Sequence, residues 1–264
     1  MSIAELNFPS QSALFARLSN LAYKSPAEAE KIFRKMGYST RYISNGGSDA
    51  YIVESDTDLI IVCRGTEVKQ WSDVSADLSI NLTKPLTGTG RVHIGFKHYT
   101  DKLWEPISEY IKTKKAQKKT LWVTGHSLGA AMATLIARRC TLDYTLQTPA
   151  ALFTYGSPRV GNREYINAFN GLVVHHRWVN DGDIVTKVPL PPLYYHCGTM
   201  HHISASGVIT SGAATKRKFT TGIKFILSFW KGIFNKLLGD AKDHSSEIYV
   251  QRLSFWAMNY TEEN

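Results

Sequence analysis

"LWVTGHSLGAAMATL", residues 121–135, sets a serine between two glycines directly behind a short apolar run. Thr120 to Thr124 is apolar and rich in β-formers, and reads as a buried strand. Ala130 to Arg139 is built mostly of strong helix formers, and Arg138 and Arg139 fall near its end, where a helix tolerates positive charge. The pattern G-x-S-x-G is weak by itself, since composition alone produces it in roughly one chain of this length in ten. A strand, a five-residue turn and a helix around it carry more information. Such a turn is so tight that side chains flanking the serine would collide, which accounts for Gly125 and Gly129. It leaves Ser127 at a helix N-terminus, where backbone N–H groups and the helix dipole favour developing negative charge. The competing reading makes Ser127 a simple helix N-cap.

Strand, turn and helix around such a serine form the nucleophile elbow of α/β-hydrolases. A serine hydroxyl is a poor nucleophile at neutral pH. It needs an imidazole to take its proton, an acid to orient that imidazole and donors for the oxyanion. The chain order in this architecture is Ser, then Asp or Glu, then His. In "HHRWVNDGDIVTKVPLPP" (175–192) a strand-like alternation over 173–179 breaks at Asn180 into a loop with two carboxylates, Asp181 and Asp183. Spacing leaves the two nearly equal, because Asp181-Gly182 also suits a turn. His244, in "DAKDHSSEIYVQRL" (240–253), sits in a polar loop before a terminal helix and suits a base. The histidines of "HCGTMHHIS" (196–204) read as surface residues of a strand, with His196, Cys197, His201 and His202 a weaker zinc reading. For the oxyanion, the N–H of Leu128 is one expected donor. A second should follow an earlier strand. "DLIIVCRGTE" (58–67) is a strongly apolar strand ending in Arg64-Gly65-Thr66, which puts Thr66 where that donor belongs.

The whole chain sets broad limits. Its 264 residues, 43% hydrophobic and 20% charged, suit one globular domain spanning 1–264. Cys63, Cys140 and Cys197 are too few and too scattered for a disulfide framework. The first residues lack a basic stretch followed by an unbroken apolar one, so no signal peptide is recognised. That leaves cytoplasmic or peripheral-membrane residence, or a non-standard export route, as the expectation. A net charge of +9 raises nucleic acid as a partner, but no zinc-finger spacing, RNP-like motif or arginine tract accompanies it. The basic run "IKTKKAQKKT" (111–120) reads as a solvated helix end and loop.

These elements together resemble the class 3 lipases, the family of the fungal triacylglycerol lipases and their bacterial and plant relatives. The resemblance rests on "LSNLAY" (18–23), "IIVCRGTE" (60–67), "VHIGF" (92–96), "VTGHSLGAAMA" (123–133), "TYGSPRVGN" (154–162), "VNDGDIVTKVPL" (179–190) and "DHSSEIY" (243–249), in that order. It implies an α/β-hydrolase fold, a central mostly parallel sheet flanked by helices. It also implies Ser127 as nucleophile, Asp183 rather than Asp181 as acid, His244 as base, and Thr66 and Leu128 as the oxyanion donors, with no cofactor and no metal. Two positions depart from the family pattern: Pro189 follows the acid late, and Ala130 stands where a third glycine is common.

Lipid esters are the implied substrates. The stretch 67–82, with Trp71, Val74 and Leu78, occupies the place of a lid. "TGIKFILSFWKGIFNKLLGD" (221–240) reads as an amphipathic helical insertion just before His244. Its sixteen-residue apolar part, 223–238, makes about 24 Å of helix against roughly 30 Å of hydrocarbon, too short to span a bilayer. Phe225, Phe229 and Trp230, with interspersed lysines and Lys216-Arg217-Lys218 ahead of them, match an interfacial or lid helix. Packing into the core, or a homodimer contact through 221–240, is the bland alternative. Basic flanks add phospholipid to triacylglycerol as a substrate. An esterase acting on soluble or cell-wall esters, such as aromatic acid–sugar esters, and a non-catalytic lipid-binding protein are the other readings.

Overall fold

A computed structural model describes residues 2–65, 81–212 and 243–260. Thr66, Trp71, Phe225, Phe229 and Trp230, and with them positions 67–80 of the lid stretch and the insertion 221–240, lie outside the described residues.

Two helices open the chain, α1 (Phe8–Leu21) and α2 (Pro26–Lys35). Asn7 caps α1 by accepting from the Ser10 N–H, and Pro9 fits the first turn, where no N–H is needed. Three strands follow, β1 (Ser39–Asn45), β2 (Ser48–Glu54) and β3 (Asp58–Cys63). A short hairpin, β4 (Leu82–Thr83) with β5 (Val92–His93), leads into α3 (Ile94–Ile111). Then β6 (Thr120–His126), α4 (Leu128–Leu142), β7 (Ala151–Tyr155), α5 (Arg163–Phe169) and β8 (Val174–Asn180) alternate. Strands β9 (Thr199–Ile203) and β10 (Ile209–Gly212) precede the last helix, α6 (Ser246–Asn259).

One eight-stranded sheet runs β1-β2-β3-β6-β7-β8-β9-β10. The pairs from β3 through β9 are parallel and the outer pairs antiparallel, so the sheet is mostly parallel, as the resemblance implies. Its central strands are apolar on both faces because both are covered. Alternation assigns the faces: Leu59, Ile61, Leu121, Val123 and Leu152 join the core with α3 and α4. Ile60, Val62, Trp122, Phe153 and Trp178 join the one with α1 and α6.

Helix α4 is buried around nearly its whole circumference, which explains its alanines: small side chains let it lie close on β3, β6 and β7. Arg138 and Arg139 fall near the end of α4, as the sequence suggests, and both are buried. Two expectations are corrected here. In the basic run after α3, Lys119 is buried and bonds Glu54 at 3.0 Å, because the chain must turn inward there to start β6. His201 is not a surface residue of β9; it is buried, 3.0 Å from His176 Nδ1 and 2.7 Å from Ser211 Oγ. Alternation along β9 turns it toward Phe8 and Trp178, under α1. Among the described residues no helix is long and apolar enough to cross a membrane.

Candidate active site

In open parallel sheets, functional groups gather beyond the carboxyl ends of the strands. Here β6 ends at Ser127 and β8 ends in the loop carrying Asp183. Ser127 has φ 61° and ψ −127°, the one positive φ among the described non-glycine residues. Such a backbone is costly and persists only where its surroundings enforce it. The enforcement is visible in the flanking glycines. A Cβ on Gly125 would lie 2.4 Å from the Gly129 carbonyl oxygen, and one on Gly129 would lie 2.2 Å from that of Cys63. Neither position has room for a side chain, and the turn aims the Ser127 side chain off the sheet.

Ser127 Oγ lies 2.9 Å from His244 Nε2, and His244 Nδ1 lies 2.9 and 3.0 Å from the two Asp183 oxygens. A carboxylate accepts only, so Nδ1 carries the proton and Nε2 is left to accept from the serine hydroxyl. The structure therefore joins Ser127, His244 and Asp183 in one chain. It does not bring Asp181 to the histidine: that side chain is 59% exposed and pairs with His202 at 3.2 Å. Asp183 is fully buried. It also accepts from the Tyr249 hydroxyl at 2.7 Å and the Val185 N–H at 3.0 Å. Burial pushes its pKa up, but the His244 charge and hydrogen bond, then the Tyr249 bond, outweigh burial and hold it below the usual carboxylate value. The late proline has a structural counterpart: a single 3-10 turn, Val185–Lys187, follows the acid before Pro189.

His126 and Tyr249 are the residues that sequence reasoning missed. His126 is wedged between the elbow and the His244 loop, its ring 4.7 Å from that of His244. Its Nε2 is 2.7 Å from the His244 carbonyl oxygen and its Nδ1 is 2.8 Å from the Tyr23 hydroxyl. The carbonyl can only accept, so Nε2 donates and Nδ1 accepts from Tyr23. Burial, then the neighbouring His244, depress the His126 pKa to about 3, so the ring is a neutral clamp. Tyr249 accepts from the Asn180 N–H at 3.0 Å and donates to Asp183, linking the acid to α6. The Asn180 amide donates to the Asp243 carbonyl at 3.0 Å, fixing the residue before the base. Tyr23, His126 and Tyr249 lay inside motifs already singled out, "LSNLAY", "VTGHSLGAAMA" and "DHSSEIY", but no spacing rule assigns them these partners.

Leu128 begins α4, so its N–H belongs to the first turn, whose amides have no intrahelical acceptor. Gly65 abuts the elbow: a Cβ there would be 2.6 Å from the His126 carbonyl oxygen. The described chain thus reaches the site one residue before Thr66.

The family model described as lipase (class 3) matches residues 60–192, half of the chain. Among curated proteins, lipase ZK262.3 of Caenorhabditis elegans is 30% identical over 169 residues, covering 62% of this chain and 48% of that protein. Secreted mono- and diacylglycerol lipase 1 of Fusarium solani is 32% identical over 159 residues, covering 56% and 44%. The chain thus spans about half, or less, of the length of these relatives. Among solved structures, the triacylglyceride lipase of Rhizomucor miehei aligns with a TM-score of 0.68 and 21% identity, over 83% of this chain and 89% of that one, a likeness of fold.

Proposed function

The chain belongs to the class 3 lipase family, and from that premise we propose that it is a serine carboxylic-ester hydrolase acting on lipid esters, acylglycerols or phospholipids. The observation that carries this reading is the unbroken Ser127–His244–Asp183 hydrogen-bond chain at a strained elbow. In this mechanism His244 Nε2 takes the Ser127 proton as Oγ attacks the ester carbonyl carbon. Asp183 stabilises the imidazolium, and the N–H groups of Leu128 and Thr66 hold the oxyanion. Collapse expels the alcohol, protonated by His244, and leaves an acyl-enzyme. Water, deprotonated by the same imidazole, then releases the carboxylic acid. The scheme requires neither metal nor organic cofactor.

Ser127 is 0% and His244 2% exposed, so an ester reaches the serine only after an opening motion. We assign that opening to contact with a lipid surface, through the segment with Trp71 and the basic, aromatic stretch with Phe225, Phe229 and Trp230. The motive is the composition of 216–240, whose lysines and aromatics suit an anionic interface. A homodimer through the same helix would use the same apolar residues and would compete with that role.

The test is fatty-acid release from anionic phospholipid vesicles, from a triacylglycerol emulsion and from a soluble short-chain ester, by wild type and Ser127→Ala. Serine-dependent release from vesicles or emulsion is expected. Serine-dependent turnover of the soluble ester alone would replace the lipid reading with that of a general esterase.

A further inference from the structure

The end of α1 reaches the ring that stands behind the catalytic base. Alternation along β6 turns Trp122, Thr124 and His126 toward the face that α1 covers. Ser19 Oγ and Thr124 Oγ1 are 3.0 Å apart, and four residues later the Tyr23 hydroxyl lies 2.8 Å from His126 Nδ1. The hydroxyl fits there because residue 65 has no side chain: a Cβ on Gly65 would lie 2.2 Å from the Tyr23 oxygen. Across the imidazole, His126 Nε2 lies 2.7 Å from the His244 carbonyl oxygen, and the ring between these two contacts is buried.

A neutral imidazole has one N–H and one lone pair, and the partners of its two nitrogens decide which carries the proton. With the proton on Nε2, His126 attracts the His244 carbonyl. With the proton on Nδ1, two lone pairs would face each other at that 2.7 Å contact. The Tyr23 O–H can donate to Nδ1 only in the first state. On the serine-hydrolase reading above, we propose that Tyr23 is a positioning residue of the reaction: its hydroxyl holds His126 in the Nε2–H tautomer, and through it the backbone of the base. The same contact keeps the ring neutral, because a donor on Nδ1 occupies the lone pair that a second proton would need. Neutrality matters here. The rings of His126 and His244 are 4.7 Å apart, and His244 becomes an imidazolium as Ser127 attacks. A charged neighbour at that distance would oppose the proton transfer. With phenylalanine at position 23, Nδ1 keeps a buried lone pair without that donor. The ring is then held by one bond instead of two, and its N–H loses direction toward the carbonyl.

The test joins kinetics on p-nitrophenyl butyrate to NMR of the histidine rings, in the full chain and its Tyr23→Phe, His126→Phe and double variants. Tyr23→Phe should lower kcat roughly tenfold with KM nearly unchanged. The double variant should be no slower than His126→Phe, because both substitutions cut one path. Losses that multiply in the double variant would overturn the proposal, since Tyr23 would then act independently of His126. Near neutral pH, long-range proton–nitrogen spectra of wild type should show His126 protonated on Nε2 alone. In Tyr23→Phe the Nδ1 signal should move further downfield, as an acceptor does on losing its donor. A proton on Nδ1 in wild type, or an Nδ1 signal that the substitution leaves in place, would also overturn the proposal. Turnover retained by Ser127→Ala would instead remove the hydrolase reading, and the spectra, which need no substrate, would still report the tautomer.

Discussion

The two ends of helix α4 treat buried polar groups in opposite ways. At its N-terminus Asp183 is met by His244, Tyr249 and Val185, and His126 spends both ring nitrogens, on Tyr23 and on the His244 carbonyl. At the other end Arg138 and Arg139 keep three N–H donors without partners among the described residues. A satisfied network fixes one geometry, which is what a proton-transferring site requires. An unsatisfied one costs stability. One helix carries both because its N-terminal turn is defined by the glycine-bounded elbow, whereas its later turns face a recess under a loop.

The largest effect that would break this contrast is chemical. Ser127→Ala and His244→Ala should each lower kcat on the order of 10⁴-fold or more, and the double variant should be little worse than either. Retained turnover in Ser127→Ala would remove the elbow from the reaction. Gly129→Ala should come next, since its Cβ would meet the Cys63 carbonyl at 2.2 Å, backbone that cannot step aside. A loss of about 3 kcal/mol is expected in denaturant unfolding.

The clamp predicts a smaller effect. His126→Phe keeps a ring but removes the donor to the His244 carbonyl and the acceptor for Tyr23. It should lower kcat by roughly 10- to 100-fold with little change in KM. His126→Gln, which can still donate to that carbonyl, should recover part of the loss. Equal damage from both variants would mean that ring packing, not the hydrogen bond, places the base.

Acid should unravel the satisfied regions gradually. His126 titrates at about 3, and His176 and His201 at about 4, depressed by burial. His175 and His196 are also pushed well below the ordinary value by burial. Each group binds its proton more readily in the unfolded chain, so its contribution is complete above pH 6.5 and is lost as pH falls toward 4 and then 3. The depressed Asp183 adds to this below the usual carboxylate range, with the same sign. Unfolding free energy should therefore fall continuously from pH 6.5 downward; a flat profile between 6.5 and 4 would mean that these histidines are solvated. The smallest effect belongs to the far end of α4. Arg138→Met should leave the melting temperature unchanged or raise it, because it removes a buried cation with no ion-pair partner among the described residues. His126→Phe, by contrast, should lower it.

Legibility followed locality. Ser127 was readable because strand, turn and helix are contiguous, and the collision that demands Gly125 and Gly129 is a property of the turn itself. Asp183 and Asp181 were indistinguishable by spacing, and only the fold exposes one and buries the other against His244. His201 was misread because alternation tells which residues share a face, not what covers that face. Arg138 and Arg139 were read correctly as late in a helix, but nothing local reveals that they are buried under a loop. His126 and Tyr249 sat inside recognised motifs, yet their partners lie on elements far away in the chain.

By itself the sequence marked the strand–turn–helix around Ser127, several apolar strands and the family pattern, because periodicity, steric crowding and turn chemistry act over a few residues. Tertiary structure alone decided that a neutral histidine and a tyrosine brace His244 and its acid, and that two arginines are enclosed with donors to spare. Those outcomes depend on which surfaces exclude water when the sheet is covered on both faces, and burial is what turns an ordinary polar side chain into a clamp or leaves it unsatisfied.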